Sequence, residues 1–245
     1  MKRKLSACIL VLFLMTLLPL PAAAETDDAQ MRVVTISSAE DLMEFAENCA
    51  LDTWSRDVQV QLLADISLKG TDFVTIPTFG GSFDGGGHTI RDLNVTQSVA
   101  PAGLFGVLQS TAVVKNLNVQ GAVAPEGDGK NAGGIVGENY GTLENCAFTG
   151  TVEGKTNIGG VAGRSDGILR NCTAQGSVTG ENHTGGIVGY NDGTVSSCRN
   201  SASVNTQSVD PAVSVQDIDL NFNLDFSQTS DVSITDASED TGGIA

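Results

Sequence analysis

A unit of 26 residues recurs over residues 132–204, and it restricts the fold more than any other feature of the sequence. Each copy opens with the pattern Gly-Gly-x-x-Gly and carries one cysteine at a fixed distance, and the three copies hold Cys146, Cys172 and Cys198. A period of about 20 to 50 residues is typical of repeat proteins, in which each unit buries its apolar face only against its neighbours. The repeat therefore predicts a solenoid.

Each unit contains three short apolar runs, at residues 134–137, 142–146 and 150–152 of the first copy, separated by turn-forming residues such as Asp166-Gly167. Runs of this length are too short for helices. We therefore expect an all-β chain with three strands per coil, a right-handed parallel β-helix whose coils stack about 4.8 Å apart. In this register Leu143 and Asn145 point inward, Asn145 at a bend where its amide bonds the turn backbone, and Glu144 points outward beside Arg170 of the next coil.

Three segments also resemble a known repeat family: GGIVGENYGTLENCAFTGTVEG at 133–154, FDGGGHTIRDLNV at 83–95 and GLFGVLQSTAVVKNLNV at 103–119. They are similar to the GLUG-motif repeats of secreted and surface bacterial proteins, including segments of some immunoglobulin-A-cleaving metallopeptidases. The resemblance covers roughly residues 58–204. It implies a pectin-lyase-like β-helix scaffold, and it implies no catalytic residues, because the repeat has none in that family.

Residues 1–24 read as a secretory signal peptide, with Lys2, Arg3 and Lys4 before an apolar run at 5–20 and three alanines at 22–24. The alternative is a membrane anchor, for which the run is short compared with the ~20 residues of a spanning helix. Cleavage before Glu25 predicts a secreted or cell-surface protein with no membrane insertion afterwards. It would also remove three of the 13 basic residues and leave 10 against 29 acidic ones, a net charge of about −19. That charge argues against nucleic acid and favours divalent cations or basic partners.

Residues 25–57 form the predicted N-terminal capping segment. Ser37 and Ser38 offer a helix N-cap, and apolar residues then follow at helical spacing from Leu42 to Cys49. Such a helix would close the first coil, with Trp54 packed at the boundary. The solenoid itself is predicted at 58–204, with its first strand at 58–63.

Enzyme chemistry is suggested only at Asp84 and His88, which could form an acid-base pair, but a turn stabilised by Asp84 is the favoured interpretation. Leu117 occupies the cysteine position one coil earlier, which favours an inward cysteine ladder and leaves a disulfide or a metal site open. The turn acids Glu138, Asp166 and Asp192 could stack and bind calcium weakly. No other cofactor and no catalytic or metal-binding residue is expected.

Residues 205–240 form an acidic segment without glycine, lysine or arginine. Within it, strict period-two alternation predicts a strand with one dry face. This strand is the candidate partner-binding element, and its residues are Ile218, Asp219, Leu220, Asn221, Phe222, Asn223, Leu224, Asp225 and Phe226. The alternative is that the segment simply packs on the flank of the solenoid.

Residues 241–245 restart the repeat, from which we expect a truncated further coil and a longer natural protein. The favoured function is an exported, non-catalytic module for binding, adhesion or display, with a protein or a glycan at the cell surface as partner. Two alternatives stay open: a polysaccharide-active β-helix enzyme, and the non-catalytic part of a large secreted metallopeptidase.

Overall fold

The computed structural model describes residues 32–51, 53–205 and 239–242, where the chain winds into a parallel β-solenoid of about seven coils with one short helix. The first elements are β1 (Arg32–Ile36), α1 (Ala39–Asn48), β2 (Val58–Leu62), β3 (Ile66–Ser67), β4 (Ile76–Phe79), β5 (Ser82–Asp84), β6 (Thr89–Val95), β7 (Phe105–Leu108), β8 (Val113–Lys115) and β9 (Asn118–Val123). The repeat region supplies β10 (Lys130–Gly133), β11 (Val136–Asn139), β12 (Thr142–Glu144), β13 (Ala147–Glu153), β14 (Thr156–Gly159), β15 (Ala162–Ser165), β16 (Ile168–Arg170), β17 (Thr173–Thr179), β18 (Asn182–Gly185), β19 (Val188–Asn191), β20 (Thr194–Ser196), β21 (Arg199–Asn200), β22 (Ser203–Val204) and β23 (Glu239–Gly242).

The strands stack into four parallel sheets. Sheet A has the order β1-β2-β5-β8-β12-β16-β20, sheet B has β21-β17-β13-β9-β6-β3 with β22 paired to β17, sheet C has β19-β15-β11-β7-β4, and sheet D has β10-β14-β18-β23. The all-β class, the parallel β-helix and the short N-terminal helix are thus confirmed. Between the three repeats, paired residues of successive coils are 26 positions apart in the sequence, as in Ala147 opposite Thr173 and Thr173 opposite Arg199.

The prediction of three strands per coil is wrong, because each repeat contributes four. The additional strand is the one in sheet D, Lys130–Gly133 in the first repeat. Its sequence Lys-Asn-Ala-Gly has low strand propensity and no alternation that a pattern search could detect. It is a strand because the same backbone is repeated one coil later, with Lys130 opposite Thr156 and Gly133 opposite Gly159.

The solenoid also begins earlier than predicted. β1 pairs in parallel with β2, from Arg32 opposite Val58 to Ile36 opposite Leu62, so the first strand of sheet A precedes the helix. The sequence of β1 hides this role because its adjacent valines do not alternate with polar residues, and Val33 is 63% exposed. β2 itself alternates between buried and exposed positions, as its sequence indicated.

Helix α1 closes the N-terminal end of the solenoid. Ser38 is its N-cap: the Ser38 hydroxyl accepts a hydrogen bond from the Asp41 amide, and the Asp41 carboxylate accepts one from the Ser38 amide. The buried ring of Phe45 lies 5.7 Å from the ring of Phe79 and 6.0 Å from that of Trp54. The predicted cap and the boundary position of Trp54 are both observed.

Rows of inward side chains fill the centre. Leu143 is fully buried between Val114 and Leu169 of the neighbouring coils, as the repeat predicted. Burial of each such side chain stabilises the fold by about 1.5–3 kcal/mol. On the outer surface of sheet A, Arg170 forms an ion pair with Glu144 at 3.7 Å, and Lys115 forms one with Asp84 at 3.2 Å.

The inward position predicted for Asn145 is wrong. Asn145 and Asn171 are exposed at the corner between sheets A and B, with φ of 53° and 52°. Their amides bond each other along the solenoid axis: Asn171 Nδ2 donates to Asn145 Oδ1 at 3.2 Å, and Asn145 Nδ2 donates to Asn116 Oδ1 at 3.3 Å. We call Asn116, Asn145 and Asn171 the asparagine column. A left-handed backbone turns the side chain outward here, which a strict two-residue alternation does not anticipate.

β23 adds a fourth strand to sheet D. Its backbone pairs in parallel with β18, with Thr241 opposite Thr184 and Gly242 opposite Gly185. The last three residues of the predicted further coil, 243–245, lie outside the described residues, as do the signal peptide at 1–24 and most of the acidic segment.

Candidate ligand-binding face

The predicted partner-binding strand, Ile218 to Phe226, lies outside the described residues, so its assignment stays a prediction. The described solenoid nevertheless presents another candidate site, on the outer surface of sheet C and the corner that joins it to sheet A.

Asp84 and His88, the residues considered for catalysis, do not pair with each other in the structure. Asp84 accepts hydrogen bonds from the Gly86 amide and the Asn116 side chain, both at 3.0 Å, in the turn that the sequence indicated. His88 Nδ1 instead lies 3.3 Å from the carboxylate of Asp65, and Thr89 donates its amide to the same carboxylate. Each group therefore makes hydrogen bonds with its own neighbours and not with the other.

The three turn acids do not form the single column that was considered for calcium. Glu138 lies opposite Arg164, which lies opposite Tyr190, whereas Asp166 and Asp192 occupy the position of Tyr140, two residues further along the coil. The expected stacking of these acids is wrong because they stand at different distances from the repeated glycines. Among the described residues, no group of three or more His, Cys, Asp or Glu side chains is placed to hold a metal ion.

The two rows that this register defines contain two groups of interacting polar and aromatic side chains, one around Tyr140 and one around Arg164. We call their six residues the tyrosine face, namely Glu138, Tyr140, Arg164, Asp166, Tyr190 and Asp192. Arg164 donates two hydrogen bonds to the Asp166 carboxylate, both at 3.0 Å, and its guanidinium lies 5.1 Å from the centre of the Tyr190 ring. The Tyr140 hydroxyl donates to Glu138 at 3.1 Å. These contacts fix the orientation of long side chains that would otherwise be mobile.

Neighbouring residues support both groups from the side of sheet D. Glu138 accepts a hydrogen bond from Asn131 at 2.6 Å, and Asn131 in turn accepts one from Asn157 at 2.6 Å. The ring of His183 packs edge-on against Tyr190 with 5.6 Å between ring centres. Three successive coils thus contribute to one prearranged surface.

Neighbouring charges and hydrogen bonds shift the pKa of two residues of the tyrosine face, Tyr140 and Arg164. Partial burial and the neighbouring Glu138 carboxylate raise the pKa of Tyr140, so its hydroxyl stays protonated and able to donate. The hydrogen bonds that Arg164 donates to the Asp166 carboxylate raise the pKa of Arg164. Both groups therefore keep a single charge state through the neutral range.

A groove runs along the corner beside this face, parallel to the solenoid axis. Its floor is the backbone of Gly141, Gly167 and Gly193, stacked so closely that a Cβ on Gly167 would clash with the Gly141 carbonyl oxygen. Side chains form the two walls, with Tyr140, Asp166 and Asp192 on one side and Thr142, Ile168 and Thr194 on the other. The volume of this corner groove is about 470 Å³.

The sequence contained a signal for this site that the repeat concealed. The chain has two tyrosines, and both fall in the same turn of different copies. The pattern of Asn, Asp and Gly in these segments predicts turns and requires no ligand. The informative observation is that the glycines around these positions repeat whereas the side chains of the tyrosine face do not.

The cysteine ladder is a buried part of the core. Cys146 and Cys172 are buried, Cys198 is partly exposed, and all three are free thiols, as is Cys49. A hydrogen bond with Cys146 and burial raise the pKa of Cys172 to about 12. Of the alternatives left open by the sequence, the structure thus has the core ladder and not the disulfide.

Comparison with known proteins agrees with the repeat assignment. The model of the GLUG motif matches residues 128–153 and 154–179. A stretch of 77 residues is 43% identical to halomucin of Haloquadratum walsbyi, and it covers 31% of this chain but 1% of halomucin. The crystal structure of a proposed immunoglobulin A1 protease from Bacteroides ovatus is 20% identical, with a TM-score of 0.49 over 71% of this chain and 78% of that one.

The chain is a parallel β-solenoid, and two of its consecutive repeats, residues 128–153 and 154–179, match the GLUG motif. The expectation of a bacterial source gains no support from halomucin, whose organism is an archaeon. No helix in residues 32–51, 53–205 or 239–242 is long and apolar enough to cross a membrane.

Proposed function

We propose that the chain is an exported, non-catalytic module that binds a partner at the cell surface through the tyrosine face. GLUG repeats and the similarity to halomucin fit a surface repeat module. The observation that carries the proposal is the contrast within the repeats. Scaffold positions such as Gly133 and Gly159 are identical in successive coils, whereas the row beginning at Glu138 changes to Arg164 and then to Tyr190.

That contrast fits recognition rather than stability. A solenoid needs only its inward and turn positions to repeat, and its lateral surface is then free to vary. Tyrosine and arginine are among the residue types most enriched where binding energy is concentrated, because they combine apolar contact area with hydrogen bonding. Tyr140 is 41% exposed, so its ring is available to a ligand.

Binding of the full chain to cells tests the proposal. A fluorescently labelled chain should bind intact cells of its source saturably in flow cytometry. A triple variant with Tyr140→Ser, Arg164→Ser and Tyr190→Ser should bind at least about tenfold more weakly, since it removes the anchors of the face. The matched control is Thr149→Ser, Thr151→Ser and Gln175→Ser on the exposed surface of sheet B, which should bind as the wild type does.

Two further results would contradict the proposal. Equal binding by the tyrosine-face variant and the control would place the contact elsewhere. Degradation of an acidic polysaccharide by the wild type, abolished by Asp84→Ala, would show an enzyme instead.

We also propose the predicted strand at residues 218–226 as a second contact element, because its alternating sequence would leave one apolar face. A triple variant with Leu220→Ser, Phe222→Ser and Leu224→Ser should weaken cell binding if that face meets a partner. Unchanged binding would remove this segment from the account and leave the tyrosine face as the contact.

A further inference from the structure

We infer that the corner groove binds an extended glycan without acidic groups, laid along the solenoid axis. The inference rests on the proposed function and names the class of partner for the same surface. It is carried by the spacing of the groove walls, by their chemistry and by the charge of the chain.

The spacing of the walls selects against a peptide. Each coil adds one residue to each wall, so equivalent groups recur about every 4.8 Å along the groove. An extended peptide presents side chains on one face at intervals of about 6.6–6.8 Å, so it loses register within two coils. An extended chain of linked pyranose rings advances by nearly one coil spacing per ring and can repeat the same contacts from coil to coil.

The wall chemistry fits a polyhydroxylated ligand. Thr142 and Thr194 supply hydroxyls on one wall with Ile168 between them, which gives a narrow apolar strip flanked by polar groups. On the other wall Asp166 is oriented by Arg164, whereas no basic side chain among the described residues pairs with Asp192. Carboxylates and hydroxyls of this kind accept and donate to sugar hydroxyls, and the exposed ring of Tyr140 offers a face to the C–H groups of a pyranose.

The corner groove extends over three coils. Its floor glycines, Gly141, Gly167 and Gly193, follow from the close stacking of the coils, because a Cβ on each would meet a backbone carbonyl oxygen of the preceding coil. A groove that spans three coils has room for about three rings in register, so affinity should rise with chain length to about three or four sugars and then level off.

The charge of the chain excludes polyanionic glycans. The chain carries a formal net charge of −16, and the wall acids face the ligand directly. Uronic acid or sulfated polymers would therefore be repelled, whereas neutral and amino sugars would not.

A glycan array followed by titration of the full chain tests the inference. The array should contain neutral, amino-bearing and acidic oligosaccharides, and the chain should bind members of the first two groups but not the third. Calorimetric titration with the best ligand as a series of one to six sugars should show the length dependence given above.

Two variants distinguish the groove from the rest of the surface. Ile168→Arg places a long charged side chain in the groove from an outward, half-buried position, and it should weaken glycan binding more than tenfold. Thr149→Arg makes a comparable change on the exposed surface of sheet B and should leave binding unchanged. Circular dichroism and the unfolding midpoint verify that both variants fold.

The outcomes separate this inference from the proposed function. Suppose that the chain binds cells through the tyrosine face. The glycan inference is then wrong, and the proposed function stands, if the chain binds no glycan on the array or prefers acidic glycans. The same holds if a single sugar binds as tightly as a tetrasaccharide, or if Ile168→Arg leaves glycan binding unchanged. The glycan inference would also be wrong if a captured peptide occupied the corner groove as the partner. If the chain binds neither cells nor glycans, both are wrong.

Discussion

The asparagine column allows two contributions to solenoid stability to be separated at one residue. Asn145 accepts one amide hydrogen bond and donates another, at 3.2 and 3.3 Å, and its backbone has a left-handed φ of 53°. Because these bonds are exposed, each should contribute near the lower end of the usual range, about 0.5 kcal/mol. A left-handed backbone costs an alanine about 1–2 kcal/mol, a cost that glycine does not have.

Replacement by alanine and by glycine should therefore give different results. Asn145→Ala removes both hydrogen bonds and adds backbone strain, so it should lower the free energy of unfolding by about 2 kcal/mol. Asn145→Gly removes the bonds without that strain and should cost about 1 kcal/mol. Urea titration followed by circular dichroism measures both, with Asn94→Ala, at an exposed position of β6 outside the column, as a control expected within about 0.5 kcal/mol of wild type. A glycine variant less stable than the alanine variant, or two variants as stable as the control, would refute this assignment.

Three other expectations follow from the same structure. Because the pKa of Cys172 is raised to about 12, its alkylation by iodoacetamide at about pH 8 should be more than about a hundredfold slower in the native chain than in urea, as measured by mass spectrometry. Gly176 has a φ of 115° and no room for a Cβ, so Gly176→Ala should lower the free energy of unfolding by at least about 2 kcal/mol, whereas Ser177→Ala next to it should change it by less than about 0.5. Burial acts to raise the pKa of Asp84, but hydrogen bonds from its turn and the nearby lysine lower it overall, below its ordinary value of 3.8. Its stabilising effect is thus present above that value and lost as pH falls below it, and Asp84→Asn should show a shallower loss of stability in acid.

The sequence predicted the parts of the fold that depend on repetition and alternation. Leu143 and β2 were placed correctly because burial at fixed spacing leaves a pattern in the letters. Helix α1 was found for the same reason, with a capping signature at Ser38. The inward position predicted for Asn145 is wrong because a left-handed backbone sets the direction of its side chain. The periodic spacing of apolar residues does not indicate such a backbone conformation. The strand Lys130–Gly133 was missed because neighbouring coils, rather than its own residues, determine its conformation.

The candidate site was less accessible to sequence reasoning than the fold. Glu138 and Asp166 were grouped by charge, whereas contact depends on which residues share a position in successive coils. The partnership of Arg164 with Tyr190 likewise joins residues 26 positions apart, and it becomes visible only when the coils are stacked in register. The repeated residues of a solenoid predict its scaffold, whereas the candidate site consists of positions that differ between the repeats.

Oxidative footprinting of the chain bound to cells tests the central claim most directly. Tyrosine is readily oxidised by hydroxyl radicals, and the two tyrosines of this chain, Tyr140 and Tyr190, both lie on the tyrosine face. Trp54, at the N-terminal end of the solenoid, serves as an internal reference in the same sample. We predict that oxidation of Tyr140 and Tyr190 falls at least about threefold on binding while that of Trp54 is unchanged, as expected when a ligand covers an exposed aromatic anchor. Unchanged oxidation of both tyrosines on a chain that is demonstrably bound would contradict the account.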